Sequence, residues 1–299
     1  MLLHAHLSGE ISLKSFLSEV LLDGLLDTLK IIPFLFLTYL LMEFIEHKAS
    51  EKTLLFMKKS GSLGPLAGGA LGALPQCAFS AVASNLYTGR VITLGTLFAV
   101  FLSTSDEMLP ILIAGEADVG KVFLLLLYKV IAAITVGFII DLILKFVLKK
   151  KREINIDEIC ESDNCHCERG IFFSALHHTV TITVFIFVVT LAVNSLIFFI
   201  GTERLAELGS SSFGLSHLIF AILGIIPGCA TSVAISTLGL HGVISAGTML
   251  AGLFPNAGVG LVILYRLNKN RKENLFITVL LILFGILFGL LCDLIGITI

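Results

Sequence analysis

Cys77 ends the tetrapeptide "LPQC" and Cys229 ends "IPGC", each inside an otherwise apolar run. Both tetrapeptides break a helix, because proline lacks the amide that an interior turn requires. A half-helix ending near Pro75 directs unpaired carbonyls into the gap, which suits a cation. A half-helix restarting near Cys77 presents free amides and a positive dipole end. That setting favours a thiolate at Cys77, and the same argument applies to Cys229. The plainer reading of each is a small buried hydrophobe. Gln76 adds an oxygen donor at the first tip.

A second constellation is "FLSTSDEMLP", which places Ser103, Thr104, Ser105, Asp106 and Glu107 within the apolar run from Val91 to Ala114. Ionisable groups there are costly and usually functional. Alternatively, both carboxylates lie near a membrane face, since only roughly 10 Å of helix separates Glu107 from Ala114. At an offset of 152 residues the matching stretch is "GLFPNAGVGL", with Pro255 and Asn256 opposite Ser103 and Thr104. The acidic pair therefore occurs once, as expected if one substrate or coupling ion binds away from a symmetry axis. Asp27 and His178 correspond at an offset of 151 and both can titrate and ligate. Their plainer readings are an ion pair between Asp27 and Lys30 and an interfacial His178 beside His177. Finally, "NIDEICESDNCHCERG" gathers Cys160, Cys165, His166 and Cys167, either as a soft-metal loop or as a flexible connection with no defined zinc spacing.

The elements that must position these residues follow from composition. The 299-residue chain is 56% hydrophobic and 14% charged, with a mean hydropathy of +1.00, more apolar surface than one soluble core can hide. Apolar runs near Gly24 to Phe44, Val91 to Ala114, Val122 to Leu148, Phe172 to Ile200, Val243 to Tyr265 and Leu275 to Ile299 are each long enough for a bilayer of about 30 Å. Helices are expected throughout, since lipid cannot satisfy an open backbone. The opening "MLLHAHLSGEISLKSF" lacks a secretory leader pattern, so the first span is expected to be retained.

An internal repeat organises these runs. "LGALPQCAFSAVASNLYTGRVITLGT" from Leu71 aligns without a gap on "LGIIPGCATSVAISTLGLHGVISAGT" from Leu223, and at the same offset Asp141 in "GFIIDLIL" meets Asp293 in "GLLCDLIG". The expected organisation is a first repeat over 1–148, a linker over 149–170 and a second repeat over 171–299. Fifteen of the 20 basic residues fall together if Lys48 to Lys59, Arg90, Lys145 to Arg152, Arg169 and Arg266 to Lys272 are cytoplasmic. Eight plain crossings cannot produce that distribution; an odd number per repeat can. The simplest arrangement makes Pro65 to Tyr87 a re-entrant hairpin from the cytoplasm and Ser216 to Gly239 its counterpart from outside. The chain is thus expected to be an all-α polytopic membrane protein of two inverted repeats with broken-helix hairpins, about ten helices in all. The linker is expected in the cytoplasm and both termini outside. Inverted repeats with interrupted helices are a plan of secondary transporters, with the site near the midplane.

Leu25 to Phe36, the segment "PQCAFSAVASNLYTGRVITLGTLFAVFLSTSDEMLPIL" and its "PGCATS" counterpart resemble the ten-helix heavy-metal exporter family, whose members are described as arsenic-efflux or manganese transporters. The resemblance covers almost the whole chain. It implies a permease of the cell's inner, cytoplasmic membrane that exports a metal or metalloid. The expected activity is secondary active export of a manganese-like divalent cation or an arsenite-like metalloid, in exchange for protons. Asp27, Gln76, Ser103, Asp106, Glu107 and Asn256 are the expected hard donors, with Cys77, Cys229 and His178 the softer ones. The partners expected are the ion, protons and the bilayer, with no cofactor and no nucleic acid. No G-x-x-x-x-G-K-[ST] loop occurs, which argues against ATP hydrolysis by this chain. The alternative is a permease for a small organic anion, held at the half-helix N-termini. A thiol-dependent enzyme is less favoured, because no base stands beside either cysteine in sequence.

Overall fold

The structure is a computed structural model that describes residues 63–73, 78–104, 108–147, 171–200, 214–227 and 229–298, with further helical positions between 25 and 40. Among the described residues all regular structure is helical. The helices are α1 (Gly64–Gly72), α2 (Ala78–Thr88), α3 (Leu94–Ser103), α4 (Met108–Ala114), α5 (Val119–Val147), α6 (Ile171–Ile200), α7 (Leu215–Gly224), α8 (Cys229–Leu240), α9 (Ala246–Leu253), α10 (Val259–Leu267) and α11 (Arg271–Ile295).

Local chemistry accounts for the boundaries. Pro65 sits in the first turn of α1, where its missing amide costs nothing. Thr93 caps α3 by accepting the Thr96 amide at 3.0 Å, and Ser245 caps α9 by accepting the Thr248 amide at 3.0 Å. A carboxylate from a distant helix completes each cap. Asp141 of α5 accepts the Gly95 amide at 2.9 Å and the Thr93 hydroxyl at 2.7 Å. Asp293 of α11 accepts the Gly247 amide at 2.7 Å and the Ser245 hydroxyl at 2.6 Å. Every partner in the second set stands 152 residues after its counterpart in the first, and the one change of residue, Thr93 to Ser245, exchanges one hydroxyl for another.

Packing repeats in the same way. α1, α3 and α5 form one group, and α7, α9 and α11 form another. Glycines let these helices approach closely. A Cβ on Gly137 would lie 2.7 Å from the Gly95 carbonyl oxygen, and one on Gly289 would lie 2.6 Å from that of Gly247. The remaining short helices make reciprocal contacts: α2 packs against α10, and α8 packs against α4. The core lies where the two groups meet and includes the fully buried Phe98, Phe101, Phe220 and Phe254.

Three candidate spans, over 94–114, 119–146 and 271–295, are long and apolar enough to cross a membrane, the first comprising α3 and α4 in succession. At 1.5 Å per residue, the 29 residues of α5 extend about 44 Å. Phe123, Leu142, Phe146, Leu275, Leu283 and Leu294 point outward on α5 and α11 with nothing among the described residues to cover them, as lipid-facing side chains do.

Two expected spans differ from the sequence reading. The run from Val91 to Ala114 is divided into α3 and α4, and the run from Val243 to Tyr265 into α9 and α10. In the first, three side-chain bonds back to the preceding turn compete for its carbonyls: Ser103 with Ala99 and Val100, and Thr104 with Val100. In the second, Pro255 and Gly258, the latter at φ 53 and ψ −137, cannot continue the turn. The break expected around Pro75 falls between the end of α1 at Gly72 and the start of α2 at Ala78. The one expected around Pro227 falls between Gly224 and Cys229.

Candidate functional site

The helix breaks of the two repeats converge on buried polar groups. Gly72, the last residue of α1, lies against the end of α3, so that a Cβ there would be 2.6 Å from the Val100 carbonyl oxygen and closer still to the Ser103 hydroxyl. Gly224, the last residue of α7, lies against the Gly252 carbonyl and 3.1 Å from the Pro255 ring at the end of α9 by the same measure. Only glycine permits either approach.

At the end of α3 the backbone leaves the helical conformation at Thr104, with φ −53 and ψ 124. Lys129 of α5 donates to the Thr104 carbonyl oxygen. This lysine is fully buried, and its Nζ lies 5.9 Å from the centre of the Phe254 ring, at the end of α9 in the other repeat. The positive charge therefore rests on the negative dipole end of one broken helix and over the aromatic face that ends the other. A buried ammonium in a membrane span marks a functional position by default.

The second break is organised by Asn256, whose Oδ1 accepts the Gly258 amide at 3.0 Å. Its Nδ2 is buried without a hydrogen-bond partner among the described residues. α10 then leaves through Gly260, which is pressed against the backbone of Ser80. The Ser84 hydroxyl lies 2.6 Å from the Gly260 carbonyl and 3.0 Å from that of Ser80, so α2 and α10 are joined by a polar contact as well as by packing. On α8, Thr231 and Ser236 are buried with hydroxyls lacking partners among the described residues. Orphaned polar groups are uncommon in packed interiors and mark places where water or an ion belongs.

Of the residues singled out from sequence, Ser103 and Asn256 lie at these two breaks, both buried. Asp27, Gln76, Cys77, Asp106 and Glu107 lie outside the described residues, as do Cys160, Cys165, His166 and Cys167. His178 falls within α6 and Cys229 begins α8, with both side chains outside the description. Among the described residues, no group of three or more His, Cys, Asp or Glu side chains gathers. Lys129 is the functional candidate that sequence reasoning passed over. Its isolation as a lone charge on an apolar helix was the available signal.

A family model described as "Putative, 10TM heavy-metal exporter" matches residues 14–193, more than half of the chain. That match covers the first group of helices and reaches into α6. The contacts at the 152-residue offset extend the same architecture to the C-terminal helices. Neither a curated protein nor a solved structure matches the chain. With its apolar spans and its broken helices, the chain belongs to this family of ten-span heavy-metal exporters and is a multi-pass membrane protein.

Proposed function

We propose that the protein is a secondary active exporter that moves a manganese-like divalent cation or an arsenite-like metalloid across the cytoplasmic membrane in exchange for protons. The observation that carries this reading is Lys129, whose buried ammonium sits where the broken α3 of one repeat meets Phe254 of the other. The carbonyl end of α3 favours a positive charge, which the Lys129 ammonium supplies, so a substrate cation takes that place by displacing the ammonium. The reciprocal contacts of α2 with α10 and of α8 with α4 support two inverted repeats, because a two-fold axis pairs each element with the partner of its counterpart. In this arrangement residues 1–148 and 171–299 are the two repeats, and the linker over 149–170 is cytoplasmic with the termini outside.

The ligand set of this reading is Asp27, Gln76, Ser103, Asp106, Glu107 and Asn256 for a hard cation. Cys77, Cys229 and His178 are its softer members. Inverted membrane vesicles carrying the protein, supplied from outside with radiolabelled manganese or arsenite with and without an imposed proton gradient, test it. Uptake of one of the two that requires the gradient and falls in Asp106→Asn or in the Cys77→Ser, Cys229→Ser pair is expected. Movement of neither ion, with cells equally resistant whether or not the cysteines are present, would overturn it.

A further inference from the structure

The two carboxylate caps are matched, but their surroundings are not. At the start of α1 the first repeat has Gly64 and Pro65, neither with a side-chain hydrogen-bonding group. The second repeat has Ser216 and His217 at the corresponding positions of α7. The His217 side chain is 1% exposed, with Nε2 3.0 Å from Asp293 Oδ2, while Asp293 is 13% exposed. The Ser216 hydroxyl lies 3.4 Å from that of Thr248. The first repeat caps its helix with no imidazole at this position, so His217 calls for a separate account.

These groups line a cavity of about 590 Å³ between the starts of α7 and α9 and the ends of α8 and α11. Its polar lining includes Ser216, His217, Ser245, Thr248 and Asp293, and the remainder is mainly glycine and aliphatic side chains. An imidazole beside a carboxylate, with hydroxyls around them, is a donor set for a borderline divalent cation of the first transition row. The separation fits as well, since two donors bound cis at about 2.1 Å from one ion stand about 3.0 Å apart. An anion is disfavoured, because Asp293 already occupies the amide end of α9. The positive dipole ends of α7 and α9 point the same way and weaken a cation's hold. Asp293 lies in the last turn of α11, whose first turn carries Arg271 and Lys272, so the positive-inside tendency places the cavity on the side away from the cytoplasm.

We propose that His217 and Asp293, with the hydroxyls beside them, form a second and weak binding site for a divalent first-row transition-metal cation in an outer vestibule, apart from the helix breaks. The site rests on the exporter reading, in which it is where the cation pauses on release. Its asymmetry has a use there, since a vestibule site is needed on the release side alone.

Titration of the purified full chain in detergent micelles with Co²⁺ tests the site through the visible absorption of imidazole-bound cobalt. The wild type is expected to bind one equivalent that His217→Gln loses or binds at least about tenfold more weakly, a difference of about 1.4 kcal/mol. Gln preserves a donor to Asp293, and the Cys77→Ser, Cys229→Ser pair should leave this equivalent unchanged. Pulsed electron paramagnetic resonance of the Mn²⁺-loaded wild type should show coupling to an imidazole nitrogen that persists in His178→Gln and is lost in His217→Gln. Identical titrations of wild type and His217→Gln, or no nitrogen coupling, would overturn the site. Vesicles that move neither manganese nor arsenite, with the cobalt equivalent intact, would defeat the exporter reading alone. Gradient-driven manganese transport with His217→Gln titrating as wild type would defeat the vestibule site alone.

Discussion

Replacing Lys129 by methionine separates a transport role from a structural one, because the two predict different sizes of effect. The lysine donates a charge-assisted bond to the Thr104 carbonyl, a class of contact contributing about 1.5–3 kcal/mol. Its ammonium also lies over Phe254, worth about 2 kcal/mol when desolvated. Together these tether the end of α3 to the end of α9 by about 3–5 kcal/mol, setting aside what the ammonium loses in leaving water. That loss is itself several kcal/mol, and methionine avoids it while filling a similar volume. The net change in stability of Lys129→Met should therefore stay within about 2 kcal/mol. Transport requires the two broken ends to be held in register, so the rate should fall by about 10²-fold or more, the equivalent of about 3 kcal/mol. Manganese or arsenite uptake into inverted vesicles at equal protein content, alongside thermal unfolding in detergent, measures both. Uptake within about threefold of wild type, or a loss matched by an equal loss of folded protein, would refute the reasoning. Lys129→Arg should recover only part of the rate, because a planar fork cannot replace a point charge in that space.

Other perturbations probe the supporting frame. Gly247→Ala should lower stability by about 2–4 kcal/mol, because the new Cβ would collide with the Gly289 carbonyl and the Asp293 carboxylate; Gly242→Ala, with nothing within 4 Å, should cost only about 1–2 kcal/mol for its φ of 68, and thermal unfolding compares them. Asp141→Asn should cost about 1–2 kcal/mol, since an amide can accept from the Gly95 amide or the Thr93 hydroxyl but not from both as strongly, and a melting temperature unchanged from wild type would show that the cap is idle. Asn256→Ala removes one acceptor, that of the Gly258 amide, along with a buried Nδ2 that lacks a partner among the described residues. Its stability should shift by no more than about 1 kcal/mol while uptake falls at least about tenfold, and unchanged uptake would remove Asn256 from the site.

Much of the frame was legible along the chain because its causes are local. Proline is poorly tolerated in a helix interior, so Pro75 and Pro227 placed both breaks near the cysteines to within a few residues of the helix ends at Gly72 and Gly224. The pairing of Asp141 with Asp293 was visible as a repeat, although nothing in either octapeptide told that the carboxylates reach back 46 residues to cap α3 and α9. The divisions of the runs at Thr104 and at Phe254 to Gly258 were missed for a physical reason. Hydropathy averages over a window and reads through a few small polar residues, and serine and threonine interrupt a helix only when their hydroxyls turn back on its carbonyls.

By itself the sequence determined the class of the molecule, its repeat and the sites of its proline breaks, all of which depend on composition and on backbone chemistry within a turn or two. Tertiary structure alone decided that α2 meets α10 and α8 meets α4, that Lys129 lies between Thr104 and Phe254, and that His217 faces a cavity while Pro65 at the matching position carries no polar group. Each of these joins residues far apart in the chain, and the burial that gives a lone lysine or histidine its meaning exists only after distant helices have closed around it.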